Sequence, residues 1–346
     1  MAIQPEAIVT PGFQMSFAAT AALVALVEAW PTGPREISAP WPILAVQRFA
    51  GWITAAVAAS LVAGMATGPF SMQHFNRTAM YGLLANLGTS PVADFVLMPA
   101  LALGAALEPL GLGAPFLRVA GWGVDLMLAI GSWTASLPGA VRTIPSAPDF
   151  VLPIAFLGVI FICLWRGRLR WLGLPLAAAV LVWPRAPAPD LWIGEGGTNA
   201  AFSRQGEAVV LRPGVRTFAV DLWSRRRGLA LTEREADGWS CDRFSCGPDD
   251  AAAGPVALWW GRRAPDVERL AALCRTAAVI GVRPVVTELP SACAGRLVLD
   301  GVDFARGGAV ELWRDGQGWR AVWTTEVRGR RPWTRRTDPE ISDSGA

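Results

Sequence analysis

Val151-Leu152-Pro153-Ile154-Ala155-Phe156-Leu157-Gly158-Val159-Ile160-Phe161-Ile162-Cys163-Leu164-Trp165 runs straight into Arg166-Gly167-Arg168-Leu169-Arg170, and this junction decides the kind of protein. An uncharged apolar run closed by clustered Arg is how a segment leaves a bilayer, because a span takes about 20 mostly apolar residues and cytoplasmic loops gather basic side chains. Working outward from it, comparable runs lie at 13–29, 43–67, 91–110 and 116–137 on one side and at 169–183 on the other. With 150–165 they make about six candidate spans. Pro31, Pro34, Pro40, Pro69, Pro91, Gly111, Pro138 and Pro148 punctuate the junctions.

Past Trp183 the chemistry changes. The 346 residues are 52% hydrophobic and 17% charged, against about 25% charged in soluble domains. Every one of the 31 basic residues is Arg; eight of them, with seven acids, lie in 1–183, which leaves 23 Arg and 21 acids for 184–346. The expected fold class is a polytopic α-helical membrane domain over 1–183, a soluble α/β domain over 184–337 and a disordered tail over 338–346. A net charge of +3 is too small to mark a nucleic-acid surface by itself. Met1 to Thr10 has no basic n-region and no small-residue cleavage site follows Phe13, so the first apolar run is expected to stay in the membrane.

Arg166, Arg168 and Arg170 set the orientation. Placing them in the cytoplasm and alternating the spans puts Arg35, Arg48 and Arg118 on the same side, leaves Arg77 and Arg142 outside, and sends the soluble half outside as well. Between the second and third spans, Gly68 to Ser90 carries His74, Asn76 and Arg77, a short apolar stretch Met80–Leu87, and a break at Gly88-Thr89-Ser90-Pro91. Eight apolar residues are too few to cross. The segment reads either as a re-entrant piece lining a cavity, where irregular backbone is tolerated, or as a surface loop.

The soluble half reads as mixed α and β. Strands are expected at Leu191–Ile193, Ala208–Leu211, Phe218–Leu222, Val256–Trp260 and Leu297–Leu299. A helix is expected over Asp266–Ala278, with Val267, Leu270 and Leu273 on one face. A hairpin should join Val310–Trp313 to Trp319–Trp323. Four of the five Cys lie here: Cys241, Cys246, Cys274 and Cys293. In an oxidising compartment the favoured pairing is Cys241–Cys246 with Cys274–Cys293; four reduced thiols or a four-Cys zinc site are the alternatives.

Pro11-Gly12-Phe13-Gln14-Met15-Ser16-Phe17 resembles the Gly-Phe-Gln-Leu-Ser-Phe block of the ComEC competence family, with Met15 in place of Leu. A second block follows in the family's order: Pro69-Phe70, His74-Phe75-Asn76-Arg77, Tyr81-Gly82-Leu83-Leu84-Ala85-Asn86-Leu87 and then Pro91. The resemblance covers about Pro5 to Trp183. It implies a multi-pass protein of the bacterial inner membrane that carries single-stranded DNA into the cytoplasm during transformation. Family members usually begin with further spans and an extracellular OB-like domain, so the chain resembles the C-terminal half of a longer channel. The implied partners are DNA, membrane lipid, that front half, a periplasmic DNA receptor and a cytoplasmic motor, since no Gly-rich phosphate loop with its Lys occurs in the chain. The soluble half resembles a metallo-β-lactamase-like domain through Arg306-Gly307-Gly308-Ala309-Val310-Glu311-Leu312-Trp313, Arg328 and Arg331-Pro332-Trp333. Hydrolases of that kind hold metals with several His and Asp. The single His of this chain lies in the membrane half, so a degenerate domain with no metal, no cofactor and no catalysis is expected.

Gln14, Ser16, His74, Arg77, Asn86 and Asp125 are the candidates for the DNA path. Polar groups within spans either serve a pathway or hold helices together, and Arg suits phosphate. Arg225-Arg226-Arg227 is a basic run that could touch DNA, but a solvated turn is the favoured reading. A small-molecule transporter and a non-functional channel remnant are the competing functions.

Overall fold

The computed structural model describes residues 5–30, 40–235, 237–316 and 318–329. Pro31, Pro34, Arg35, Arg331, Pro332, Trp333 and the 338–346 tail lie outside the described residues. The chain forms two compact units, Met1–Arg185 and Ala186–Ala346.

Unit one is helical. Its helices are α1 (Pro11–Ala29), α2 (Trp41–Phe75), α3 (Gly82–Leu110), α4 (Ala114–Ser136) and α5 (Val151–Leu164). Among the described residues the first four are long and apolar enough to cross a membrane. The 14 residues of α5 span only about 21 Å. The last apolar run is broken into a 3-10 turn (Arg168–Leu172), α6 (Gly173–Ala177) and α7 (Ala179–Val182), where Pro175 removes a helix donor.

The reading of Gly68 to Ser90 needs correcting. α2 continues through Pro69 to Phe75; Arg77–Ala79 is a strand, β1; and α3 then runs unbroken from Gly82 past Pro91. Met80–Leu87 is therefore no separate re-entrant piece, since most of it opens a long helix. Pro91 lacks an N–H and crowds the preceding turn. Helix α3 absorbs this with one π turn over Ala93–Leu97 directly after it, a local rewinding that keeps the axis continuous.

Small residues make the crossings. The core of α1, α2, α5 and α7 is built on Ala18, Ala22, Ala66, Phe70, Ala155 and Val180. A Cβ on Gly158 of α5 would lie 2.3 Å from the Ala177 backbone nitrogen, and one on Gly173 would lie 2.6 Å from the Gly158 oxygen. Only Gly allows backbones that close. Gly123 likewise sets α4 against Val96 and Leu97 of α3.

One end of unit one collects the start of α1, the end of α2, the start of α3, the end of α4 and the start of α5. There β1 pairs antiparallel with β2 (Val141–Thr143), in the register Arg77↔Thr143, Thr78↔Arg142, Ala79↔Val141. The other end carries the exposed pair Glu28–Arg166 at 3.3 Å. Arg185 returns the chain to the ribbon end: its guanidinium donates to the carbonyls of Val180, Leu181, Trp183 and Pro145, capping the last helical turn as C-terminal Arg does.

Unit two has two sheets. In the first, β3 (Leu191–Ile193), β4 (Ala200–Arg204), β5 (Glu207–Val210), β6 (Ala230–Glu233), β12 (Val310–Asp315) and β13 (Gly318–Trp323) lie in the order β13-β12-β3-β4-β5-β6. In the second, β7 (Trp239–Cys241), β8 (Ser245–Pro248), β9 (Val256–Trp259), β10 (Val279–Val282) and β11 (Leu297–Leu299) lie in the order β11-β10-β9-β8-β7.

Period-two alternation explains the layering. Leu191, Ile193, Phe202, Val256, Leu258 and Val279 face one shared core between the sheets. Their neighbours Trp192 and Ala201 face out toward α8 (Thr217–Arg227), where Val220 and Trp223 cover them. Ala257 and Ile280 face out toward α9 (Val267–Thr276), meeting Leu270 and Leu273. The result is a four-layer sandwich, helix on sheet on sheet on helix, completed by two short helices, α10 (Gly301–Gly307) and α11 (Thr324–Arg328). Asp266 caps α9 by accepting from the Arg269 N–H at 2.7 Å. The expected strand Phe218–Leu222 is instead part of α8: Val220, Trp223 and Ser224 are its buried face, and Gly228 ends it at φ 71°.

Candidate nucleic-acid interface

The ribbon end of unit one gathers three of the six polar side chains that the sequence singled out, Gln14, His74 and Arg77. Gln14 stands four residues before Ala18 on α1, and His74 four after Phe70 on α2, so each extends its helix's packing stripe to the boundary. Their side chains meet: His74 Nε2 lies 2.8 Å from Gln14 Oε1. Beside them Gln73 pairs with the Ala147 backbone in both directions, Nε2 donating to its carbonyl at 2.8 Å and Oε1 accepting its N–H at 3.0 Å. This mimics one rung of a sheet and pins the loop before α5.

Asn76 completes the clasp. It ends α2 in the left-handed conformation, φ 56°, which Asn tolerates better than most residues. It is buried, 1% exposed. Its Nδ2 donates to Ser146 Oγ at 2.8 Å and to the Ile144 carbonyl at 3.1 Å, and its backbone carbonyl accepts the Ile144 N–H at 3.0 Å. Its Oδ1 is buried with no partner among the described residues. Ser71 Oγ donates to the Arg77 carbonyl at 3.2 Å, and Tyr81 donates to the Pro138 carbonyl at 3.1 Å.

What this scaffold presents is Arg77 and Arg142. Thr78 and Arg142 are register partners and so share one face of the ribbon; Arg77 and Thr143 share the other. Both Arg are exposed, and neither side chain makes an ion pair or hydrogen bond among the described residues. Two unneutralised guanidiniums on a two-stranded ribbon form an anion-receptive tip, with fork geometry suited to phosphate oxygens.

The other sequence candidates are not brought there. Ser16 is exposed and lies off the packing face that Gln14 shares. Asn86 sits on an exposed face of α3, and Asp125 on an exposed face in the middle of α4. Conversely, Gln73, Asn76, Arg142 and Ser146 carry the site without having been singled out for it. The available signals were an Asn closing a helix and two same-side loops, each with one Arg.

In unit two Cys241 and Cys246 stand opposite each other on β7 and β8, and both they and Cys274–Cys293 lie at disulfide distance. Cys163 in α5 is free and half-buried. The Arg run on α8 is tied down: Arg225 pairs with Asp221, and Arg227 pairs with Glu311, which also accepts from Trp223 Nε1 at 2.9 Å. Arg212 lies over the Trp260 ring at 3.9 Å, and burial lowers its pKa from the usual value. Among the described residues no group of three or more His, Cys, Asp or Glu side chains is placed to hold a metal ion.

No curated protein and no solved structure matches the chain. Residues 1–169 match the family model described as Competence protein, a stretch that takes in most of unit one.

Proposed function

We propose that this chain is part of an inner-membrane channel that carries single-stranded DNA into the cytoplasm during transformation, with the ribbon end and the soluble unit external. The observation that carries the reading is that Arg77 and Arg142 stand on the two strands of one short ribbon, exposed on its opposite faces, within the stretch that matches the competence-protein model. Incoming DNA meets two guanidiniums that replace part of the hydration of its phosphates. Gln73, Asn76 and Ser146 act as positioning residues, holding the ribbon to the ends of α2 and α5. Force comes from a cytoplasmic motor, and delivery from a periplasmic receptor and the front half of the channel.

The soluble unit is on this reading a degenerate, non-catalytic metallo-β-lactamase-like domain. Its four-layer order of helix, sheet, sheet and helix supports that assignment, as does the lone His74, which lies outside it. Its compartment is oxidising, in keeping with two cysteine pairs at disulfide distance.

The test is uptake of fluorescent single-strand-forming DNA in competent cells that hold the other channel components. Arg77→Ala with Arg142→Ala should lower uptake about tenfold at normal chain abundance, in line with the loss of two charge-assisted contacts, whereas Arg225→Ala leaves it unchanged. Wild-type uptake in the double variant would remove the ribbon from the path. Alkaline phosphatase joined after Ala346 should be active, and an inactive fusion would reverse the orientation.

A further inference from the structure

The outer face of α4 carries a pattern that neither its own unit nor lipid explains. At 100° per residue, Arg118, Gly121, Asp125, Ala129, Ser132 and Ser136 fall within an arc of about 80°. All six are exposed. The opposite face, with Ala120, Gly123 and Thr134, is the one buried in the unit. The large apolar side chains of α4, such as Trp122, Val124, Leu126 and Trp133, flank the stripe and leave it clear.

Asp125 is midway along the helix, about 16 Å from each end at 1.5 Å per residue. Its carboxylate makes no hydrogen bond or ion pair among the described residues. A charged side chain at the bilayer centre is costly, and such residues face protein or water rather than lipid. Small and hydroxyl residues spaced three and four apart are what lets a second helix approach closely.

We infer that this stripe is the docking face for a transmembrane helix of another polypeptide, one that presents a basic or amide side chain at mid-depth to Asp125. A second copy of this chain is a poor occupant. Copies inserted the same way are related by an axis along the membrane normal, so α4 would run parallel to its mate and set Asp125 against Asp125 and Arg118 against Arg118, like charges in a medium that screens them weakly. A hydrated DNA path is a poor occupant too, because a carboxylate repels a polyanion. The inference requires only that α4 crosses a bilayer, and it holds whatever the cargo.

The experiment is photocrosslinking of the full chain in its own host. Benzoyl-phenylalanine is placed at Ala129, on the stripe, or at Leu126, off it. Position 129 should give one discrete adduct to another polypeptide, mapped by mass spectrometry to a membrane-spanning segment with Arg, Lys, His, Asn or Gln at that depth. Position 126 should give none. Asp125→Lys should cut the adduct at least fivefold, and replacing the mapped donor by Asp should restore it. If Asp125→Lys does not accumulate, Asp125→Leu is used in its place, and the adduct to the unaltered stripe still decides. An adduct to a second copy, adducts to lipid alone, or ready modification of Ser132→Cys (in a Cys163→Ala background) by a membrane-impermeant maleimide would each overturn the inference.

Discussion

The two units bury opposite things. In unit one the interior is Ala18, Ala22, Ala66, Ala120 and Ala155 with closely crossed Gly residues, while Trp41, Val46, Phe49 and Met65 point outward. In unit two Leu191, Ile193, Leu258, Ile280 and Leu312 are wholly buried. Water drives large apolar groups inward. Lipid is as apolar as Leu and gives no such drive, so helices associate where small residues let backbones touch. Small residues therefore make up much of the interior of unit one, beside a few large ones such as Phe70 and Val151, whereas the interior of unit two is mostly large and branched.

Substitutions should separate the two regimes. The largest effect is expected for Gly158→Leu, where the added side chain meets the backbone of Gly173 and Ala177. A loss of about 3 kcal/mol, the upper range for overpacking, should appear as a collapse of chain abundance in membranes. Leu258→Ala in unit two should follow closely, at about 2–3 kcal/mol, the low end for a core truncation, read from thermal unfolding of the full chain in detergent. Phe49→Ala removes even more apolar volume from an outward site of α2 and should shift the same curve by under about 0.5 kcal/mol, as surface changes do. A shift like that of Leu258→Ala would mean that Phe49 is covered, and the contrast would fail at that face.

Disulfides sharpen the comparison, since they belong to unit two alone. Replacing Cys274 and Cys293 by Ser opens a loop of 19-residue separation and should cost about 3 kcal/mol, against about 2 kcal/mol for the Cys241 and Cys246 pair at separation 5. Mass spectrometry without reductant checks both pairings; four alkylatable thiols in protein from intact cells would count against them and against the external placement. Smaller again is Asn76→Ala. It removes the bonds donated to Ser146, the Ile144 carbonyl and, at 3.5 Å, the Met72 carbonyl and should lower the stability of unit one by about 1–3 kcal/mol, whereas Asn76→Gly keeps the left-handed backbone and isolates the side-chain share. Glu28→Gln, at an exposed pair, should change stability by under about 0.5 kcal/mol.

Much of this was legible in the sequence. The change of composition near Trp183 anticipated two units, and the Gly-Phe-Gln-Met-Ser-Phe block opens the helix that supplies Gln14. The π turn after Pro91 was not legible, because a Pro reads as a break and nothing local says that the helix rewinds around it. Strands of unit two were missed for a related reason: Ala200–Arg204 and Val279–Val282 are covered on both faces, so the alternation that marks a half-buried strand is lost. Phe218–Leu222 read as a strand because five mostly apolar residues, with Asp221 among them, are too few to show a period. Arg142 was visible only as a loop charge, since its pairing with Thr78 joins residues far apart in the chain.

The contact of Gly158 with Gly173 bears on how the chain enters the bilayer. Helix α5 is too short to cross alone, and the return leg through α6 and α7 is too broken to cross alone. Joined backbone to backbone, they form a two-legged wedge whose exposed peptide groups are shielded by one another. If such a wedge lies in lipid, separating its legs would expose the Gly158 and Gly173 contact, so the two legs are expected to insert as one unit. On the proposed orientation, the clustered Arg166, Arg168 and Arg170 at its bend are the part held in the cytoplasm, and they would set the direction of entry.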